Sequence, residues 1–146
     1  MDRLNSARLH TSGRQYFEAA KTIIENSSNF EGSPPLLFLI AQSIELFIKA
    51  FLRGIGFSEP ELKKLGHNLT KIYAEALEKN LNEYFSPQSN DQEIINLLNE
   101  SYCSRDLQYV KTGMKNRPRI ELSIDLAKRL NKNLLKFCAD KRKLHD

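Results

Sequence analysis

Few residues in this chain have side chains suited to chemistry, and several of them are grouped. Gln42, Glu45, Lys49 and Arg53 recur at intervals of three and four inside an otherwise apolar stretch. At helical geometry they fall within about 80° of one another and form one narrow polar stripe. Glu45 and Lys49 are i,i+4 neighbours, an order that pairs carboxylate with ammonium for about 0.3–0.5 kcal/mol where exposed. If buried, the pair matters more, because an unpartnered buried charge is costly. The usual arrangement for such a stripe is the solvated edge of a core helix; the alternative is a groove for a ligand or a second subunit. Farther along, Gly66-His67-Asn68 joins a helix-ending residue to a good N-cap. His67 therefore reads as a hinge residue that hydrogen-bonds a neighbouring helix. Its functional alternative is to reach the Glu45 stripe.

Two further groupings are basic. Arg105 and Tyr109 stand four residues apart on or just after a helix. They suit either holding a phosphate or capping the helix end. Lys111, Lys115, Arg117 and Arg119 place four positive charges in KTGMKNRPR with no acid. Without interleaved aromatics this connector offers no stacking platform, so contact with nucleic acid would be to phosphate alone. A solvated loop is the simpler reading. His10, His67 and His145 give no metal pair at i,i+3 or i,i+4, and Cys103 and Cys138 form no CxxC. No P-loop, GxGxxG, HExxH, EF-hand loop or GxSxG elbow is present. No cofactor or metal is expected, and the two thiols are expected reduced and buried.

The elements that position these residues are helical. The chain has 21 Leu and 11 Ile but one Val, four Thr and no Trp, a balance that disfavours sheet. A first helix is expected from about Leu4 to Ser27, with Gly13 weakening its middle and allowing a later start. Ser33-Pro34-Pro35 opens a second, with Ser33 as N-cap and Pro34 at the first position, ending at Arg53 before Gly54 and Gly56. Because nearly everything outside its stripe is apolar, this helix should be the central and most buried one. Ser58-Glu-Pro-Glu61 is a capping box for a short helix to Leu65. Further helices are expected over Leu69–Tyr84, from an Asn90/Glu93 cap to about Leu107, and from Ile120 or Ser123 to Lys141. The last carries Leu122, Leu126, Leu130, Leu134 and Phe137 on one face. The expected fold is all-α, an up-and-down bundle of four to five helices in one domain over residues 1–146.

Composition is that of an ordinary globular domain, 40% hydrophobic and 27% charged over 146 residues. The net charge of +4 conceals an asymmetry. Residues 1–104 carry 10 Lys/Arg against 13 Asp/Glu, whereas residues 105–146 carry 12 against 5. A basic end on a mildly acidic body suits an anionic partner or a solvated basic face. The segment from Pro35 to Phe57 is apolar enough to test as a membrane span, but Gln42, Glu45, Lys49 and Arg53 interrupt it at costly depth. The first residues, MDRLNSARLH, include an early acid and no apolar run, unlike a signal peptide. A cytoplasmic protein with no membrane partner is expected.

Taken together, Ala41, the Glu45-Leu-x-x-Lys49-Ala-x-Leu52 run, Gly56 and Gly66-His67-Asn68-Leu69 resemble the HEPN family (higher eukaryotes and prokaryotes nucleotide-binding domains). Arg105-x-Leu107-x-Tyr109 followed by Gly113 resembles the family's arginine and tyrosine position, so the likeness spans about residues 10–140. It implies a HEPN-like bundle that dimerises and works in nucleotide, nucleic-acid or toxin–antitoxin biology, often beside a nucleotidyltransferase-like protein. Many members are RNases with an R-x(4–6)-H motif. Here the positions at that offset from Arg105 are Val110, Lys111 and Thr112, and no histidine is among them. The expected function is therefore a non-catalytic binding module, a homodimer contacting a nucleotide or RNA through phosphate. The alternative is an unconventional ribonuclease using Arg105 and Tyr109 at a dimer interface.

Overall fold

The computed structural model describes residues 5–26, 34–103 and 119–141. Six α-helices and one short 3₁₀ turn account for most of them, with no strand among the described residues. They are α1 (Ser6–Asn26), α2 (Pro34–Gly54), α3 (Glu59–Leu65), α4 (Leu69–Glu78), α5 (Asp91–Cys103) and α6 (Ile120–Asp140). The all-helical expectation stands, with six helices in place of four to five.

Helix α2 is the centre. Thirteen of its residues are buried, more than in α1 or α6, so the helix with the narrowest polar stripe is also the most enclosed. Its length and apolarity would allow it to cross a membrane, yet 72% of its most apolar window is covered by the rest of the fold. Helices α1 and α6 pack on it, and α4 and α5 pack on it as well. The Ser6 hydroxyl donates to the Ala50 carbonyl at 2.6 Å, and Gly13 lies against Phe47 and Leu46, so α1 runs antiparallel to α2. His10 reaches the Asn131 carbonyl while Phe17 and Lys21 share a hollow with Glu121 and Ile124, so α6 is antiparallel to α1. It therefore runs parallel to α2.

Gly13 does not delay α1, which starts at Ser6 and runs through it. The Asn5 side chain accepts from the Arg8 N–H at 2.9 Å and supplies the start. A Cβ at position 13 would lie 2.8 Å from the Phe47 ring, so the glycine permits close approach of α1 and α2. The expected helix over Leu69–Tyr84 is also corrected. It stops at Glu78, where Asn80 takes a left-handed φ of 69° and a 3₁₀ turn spans Leu81–Glu83. Asparagine tolerates that conformation, and the turn brings Leu81 and Phe85 into the core. Asp91 rather than Asn90 holds the corner before α5, accepting from the Gln88 N–H at 2.8 Å. Ser33 and the span from 104 to Leu107 lie outside the described residues. In α6, Leu126, Leu130, Leu134 and Phe137 are buried as the spacing predicts, with Leu122 partly so.

Candidate functional site

The site is built where the middle of α2 meets the corner between α3 and α4. Both ends of that corner are set locally. The Ser58 hydroxyl accepts from the Glu61 N–H at 3.2 Å and the Glu61 carboxylate accepts from the Ser58 N–H at 3.0 Å, completing the capping box that opens α3. Those bonds hold the Glu61 carboxyl below its ordinary range. Gly66, at a φ of 61°, ends α3, and the Asn68 side chain accepts from the Lys71 N–H at 3.0 Å to begin α4. His67 sits between the two caps, where the backbone has no helical register to obey.

The corner is tied down from both sides. The Lys49 ammonium donates to the Gly66 carbonyl at 2.7 Å and to Glu45 Oε2 at 3.0 Å. On the other side the Leu69 N–H donates to Asn99 Oδ1 at 2.7 Å, and the Thr70 hydroxyl donates to Asn96 Oδ1 at 3.1 Å, both on α5. His67 Nδ1 then lies 2.9 Å and 3.0 Å from the two Glu45 oxygens. A carboxylate accepts, so Nδ1 carries the hydrogen in this contact. The Glu45 side chain is 3% exposed and that of Lys49 11%, whereas that of His67 is 71% exposed. Chemically, this is a buried carboxylate that orients an accessible imidazole.

The solvated-edge reading of the stripe is thus overturned. At Glu45 the α3–α4 corner and α5 cover the stripe, and its charge is met by two partners because burying it alone would be unfavourable. Gln42 belongs to the same assembly: the Tyr102 hydroxyl donates to Gln42 Oε1, and the Tyr102 ring meets that of His67 edge-on at 6.1 Å. Arg53 fastens the end of the same helix. Its guanidinium donates to the Phe57 carbonyl at 2.7 Å and secures the turn after α2. Both the hinge role of His67 and its reach to Glu45 are realised in one contact.

The basic candidates stay apart from this cluster or beyond what is described. Arg119 is exposed at the N-cap position of α6, 3.8 Å from Glu121. Its carbonyl accepts from the Ser123 hydroxyl at 2.8 Å. Arg105, Tyr109, Lys111, Lys115, Arg117 and His145 lie outside the described residues. Among the described residues, no three His, Cys, Asp or Glu side chains meet in an arrangement able to hold a metal.

Three polar features, two of them buried and Tyr102 half-buried, are not signalled by residue spacing. Tyr102 completes the cluster, and its only sequence signal is an aromatic at the polar end of α5. Asp91, 3% exposed, takes two bonds from Arg129, at 2.6 Å and 3.0 Å. The signal for Arg129 is its place between Leu126 and Leu130, on the apolar face of α6. That pairing holds the Arg129 guanidinium above its ordinary range, and burial raises Tyr73 beside it. His10 is 2% exposed and donates through Nε2 to the Asn131 carbonyl at 3.0 Å. Burial, aided by Arg14, lowers its pKa against the opposing effect of that bond. Cys138 is buried, as expected, and its thiol is pushed up to about 11 by burial; the Cys103 side chain lies outside the described residues. The chain matches no protein-family model, no curated protein and no solved structure.

Proposed function

We propose that this chain is a non-catalytic HEPN-like binding module, a cytoplasmic homodimer that contacts a nucleotide or RNA through phosphate, or works with a nucleotidyltransferase-like partner in a toxin–antitoxin type of system. One observation carries the reading. The two motifs behind the resemblance, Glu45-Leu-x-x-Lys49 and Gly66-His67-Asn68, form a single contact unit: Lys49 holds Gly66, and Glu45 orients His67. Residues far apart in the chain thus act together to present one imidazole at the surface. An oriented and largely exposed imidazole suits contact with a phosphate group.

The test combines binding with turnover. Titrate fluorescent single-stranded RNA and a labelled ATP analogue into purified protein at low and high salt, with wild type and His67→Ala. Expected are salt-sensitive binding, weakening of about tenfold in the variant, and RNA that stays intact through long incubation. Binding of neither probe would remove the nucleotide and RNA part of the reading. RNA cleavage lost on Arg105→Ala would replace the module with the ribonuclease alternative.

A further inference from the structure

The seam between α1 and α6 carries a second feature, remote from the Glu45–His67 contact. Two hollows of about 600 Å³ and 330 Å³ lie along it. The larger is floored by Phe17, Ile24 and Ile124, and the smaller is bordered by Leu135, one of few exposed large apolar side chains. A trough between two antiparallel helices, with apolar side chains along its floor, is shaped to receive further helices.

Its rims are polarised along their length. Toward the His10–Asn131 end stand Arg14, Lys128 and Lys132, all exposed cations. Toward the end of α1 and the start of α6 stand Glu18, Glu25, Glu121 and Asp125, with Lys21 and the α6 N-cap residue Arg119 the cations among them. The first half thus carries three positive charges and the second a net two negative. A two-fold axis through the middle of the trough, perpendicular to the helices, reverses one copy against the other. Basic half then faces acidic half twice, which is the self-complementarity an isologous interface demands. Few other occupants would match both halves. Each 21-residue helix is about 30 Å long, and two side by side present a face about 20 Å wide. That area is near the roughly 800 Å² per partner of a stable dimer.

We infer that a second copy of this chain docks trough on trough along the α1–α6 seam, with the cations of Arg14, Lys128 and Lys132 set against the acids of the partner copy. The inference rests on the dimeric reading above and assigns it a surface. Sedimentation equilibrium on the full chain tests it with two charge-reversed variants, Lys128→Glu/Lys132→Glu and Glu25→Lys/Glu121→Lys. All four positions are exposed, so circular dichroism should match wild type. Each variant alone makes both halves alike in sign and should weaken dimerisation by about tenfold or more. An equimolar mixture of the two should restore it, because opposite signs again face each other. Lys63→Glu/Lys64→Glu on α3 changes net charge as much as Lys128→Glu/Lys132→Glu and should leave the dimer intact. A wild-type monomer at tens of micromolar would overturn the dimeric reading and this surface with it. A wild-type dimer indifferent to both reversals, or a mixture that fails to re-form it, would overturn the surface and leave the dimer standing.

Discussion

Glu45 and Asp91 are both buried carboxylates with cationic partners, and they are finished in opposite ways. Asp91 is closed off. Arg129 grips both its oxygens, the Gln88 N–H takes one of them again, and the guanidinium is itself held by Asp125 at 2.8 Å and lies 5.4 Å over the Phe85 ring. The fork of an arginine matches a carboxylate bidentately, so the charge is cancelled and the contact becomes a strut between the start of α5 and the middle of α6. Glu45 has a lysine on one side and an imidazole on the other, and that imidazole is largely exposed. One carboxylate is used to fasten two elements. The other fastens and also aims a group outward. The difference lies in the partner: the Arg129 guanidinium, 18% exposed, bonds two carboxylates inside, whereas the His67 imidazole is 71% exposed.

The contrast can be broken experimentally, most forcefully at Arg129. Arg129→Met should leave Asp91 buried without its cation and cost about 3–5 kcal/mol, read by urea denaturation. Adding Asp91→Leu should return much of that loss, since the uncompensated charge is then removed. Strictly additive losses would show that the pair is no strut. Lys49→Met comes next, at about 2–3 kcal/mol, because Glu45 keeps His67 as a partner but the Gly66 carbonyl loses its donor. His67→Ala should cost about 1 kcal/mol or less in stability while weakening RNA and nucleotide binding about tenfold, a separation that Arg129→Met would not show. A His67→Ala loss as large as that at Arg129 would make the two carboxylates equivalent.

The smallest effect concerns pH and a third buried group, His10. Its folded pKa lies below its ordinary 6.5, so the unfolded chain takes up the proton first as pH falls. Stability from this group is then complete above about pH 6.5 and declines on acidification through the window below it. Thermal melts from pH 7.5 to 5 should show that decline, and His10→Gln, which can still donate to the Asn131 carbonyl, should flatten it. The groups facing His10 are that carbonyl, Arg14 and the Phe47 ring. A slope unchanged by the substitution would place the acid sensitivity elsewhere.

Much of this arrangement is legible in the chain because it is local. The capping box of Ser58 and Glu61, the breaks at Gly66 and Asn68, the i,i+4 order of Glu45 and Lys49 and the leucine spacing of α6 each need only a few neighbouring residues. The early end of α4 at Glu78 is not legible. The apolar spacing continues through Leu81, while the left-handed residue that redirects the chain is an asparagine that would also suit a helix surface. Gly13 misleads for a related reason: its propensity cost is visible in sequence, but the Phe47 ring that requires its missing Cβ comes from another helix.

What the sequence alone determined, then, is helix, break and stripe: which segments coil, where most of them stop, and that α2 shows one thin polar line amid apolar faces. Whether that line met water or protein was decided by tertiary structure. Periodicity specifies the angle of a side chain around its own axis but carries no information on what stands opposite. The α3–α4 corner and α5 cover Glu45, and only their packing turns an ordinary i,i+4 pair into a buried carboxylate aiming a histidine. The same holds for Asp91 and Arg129, thirty-eight residues apart, whose pairing arises from long-range contact and from the cost of leaving either charge alone in the core.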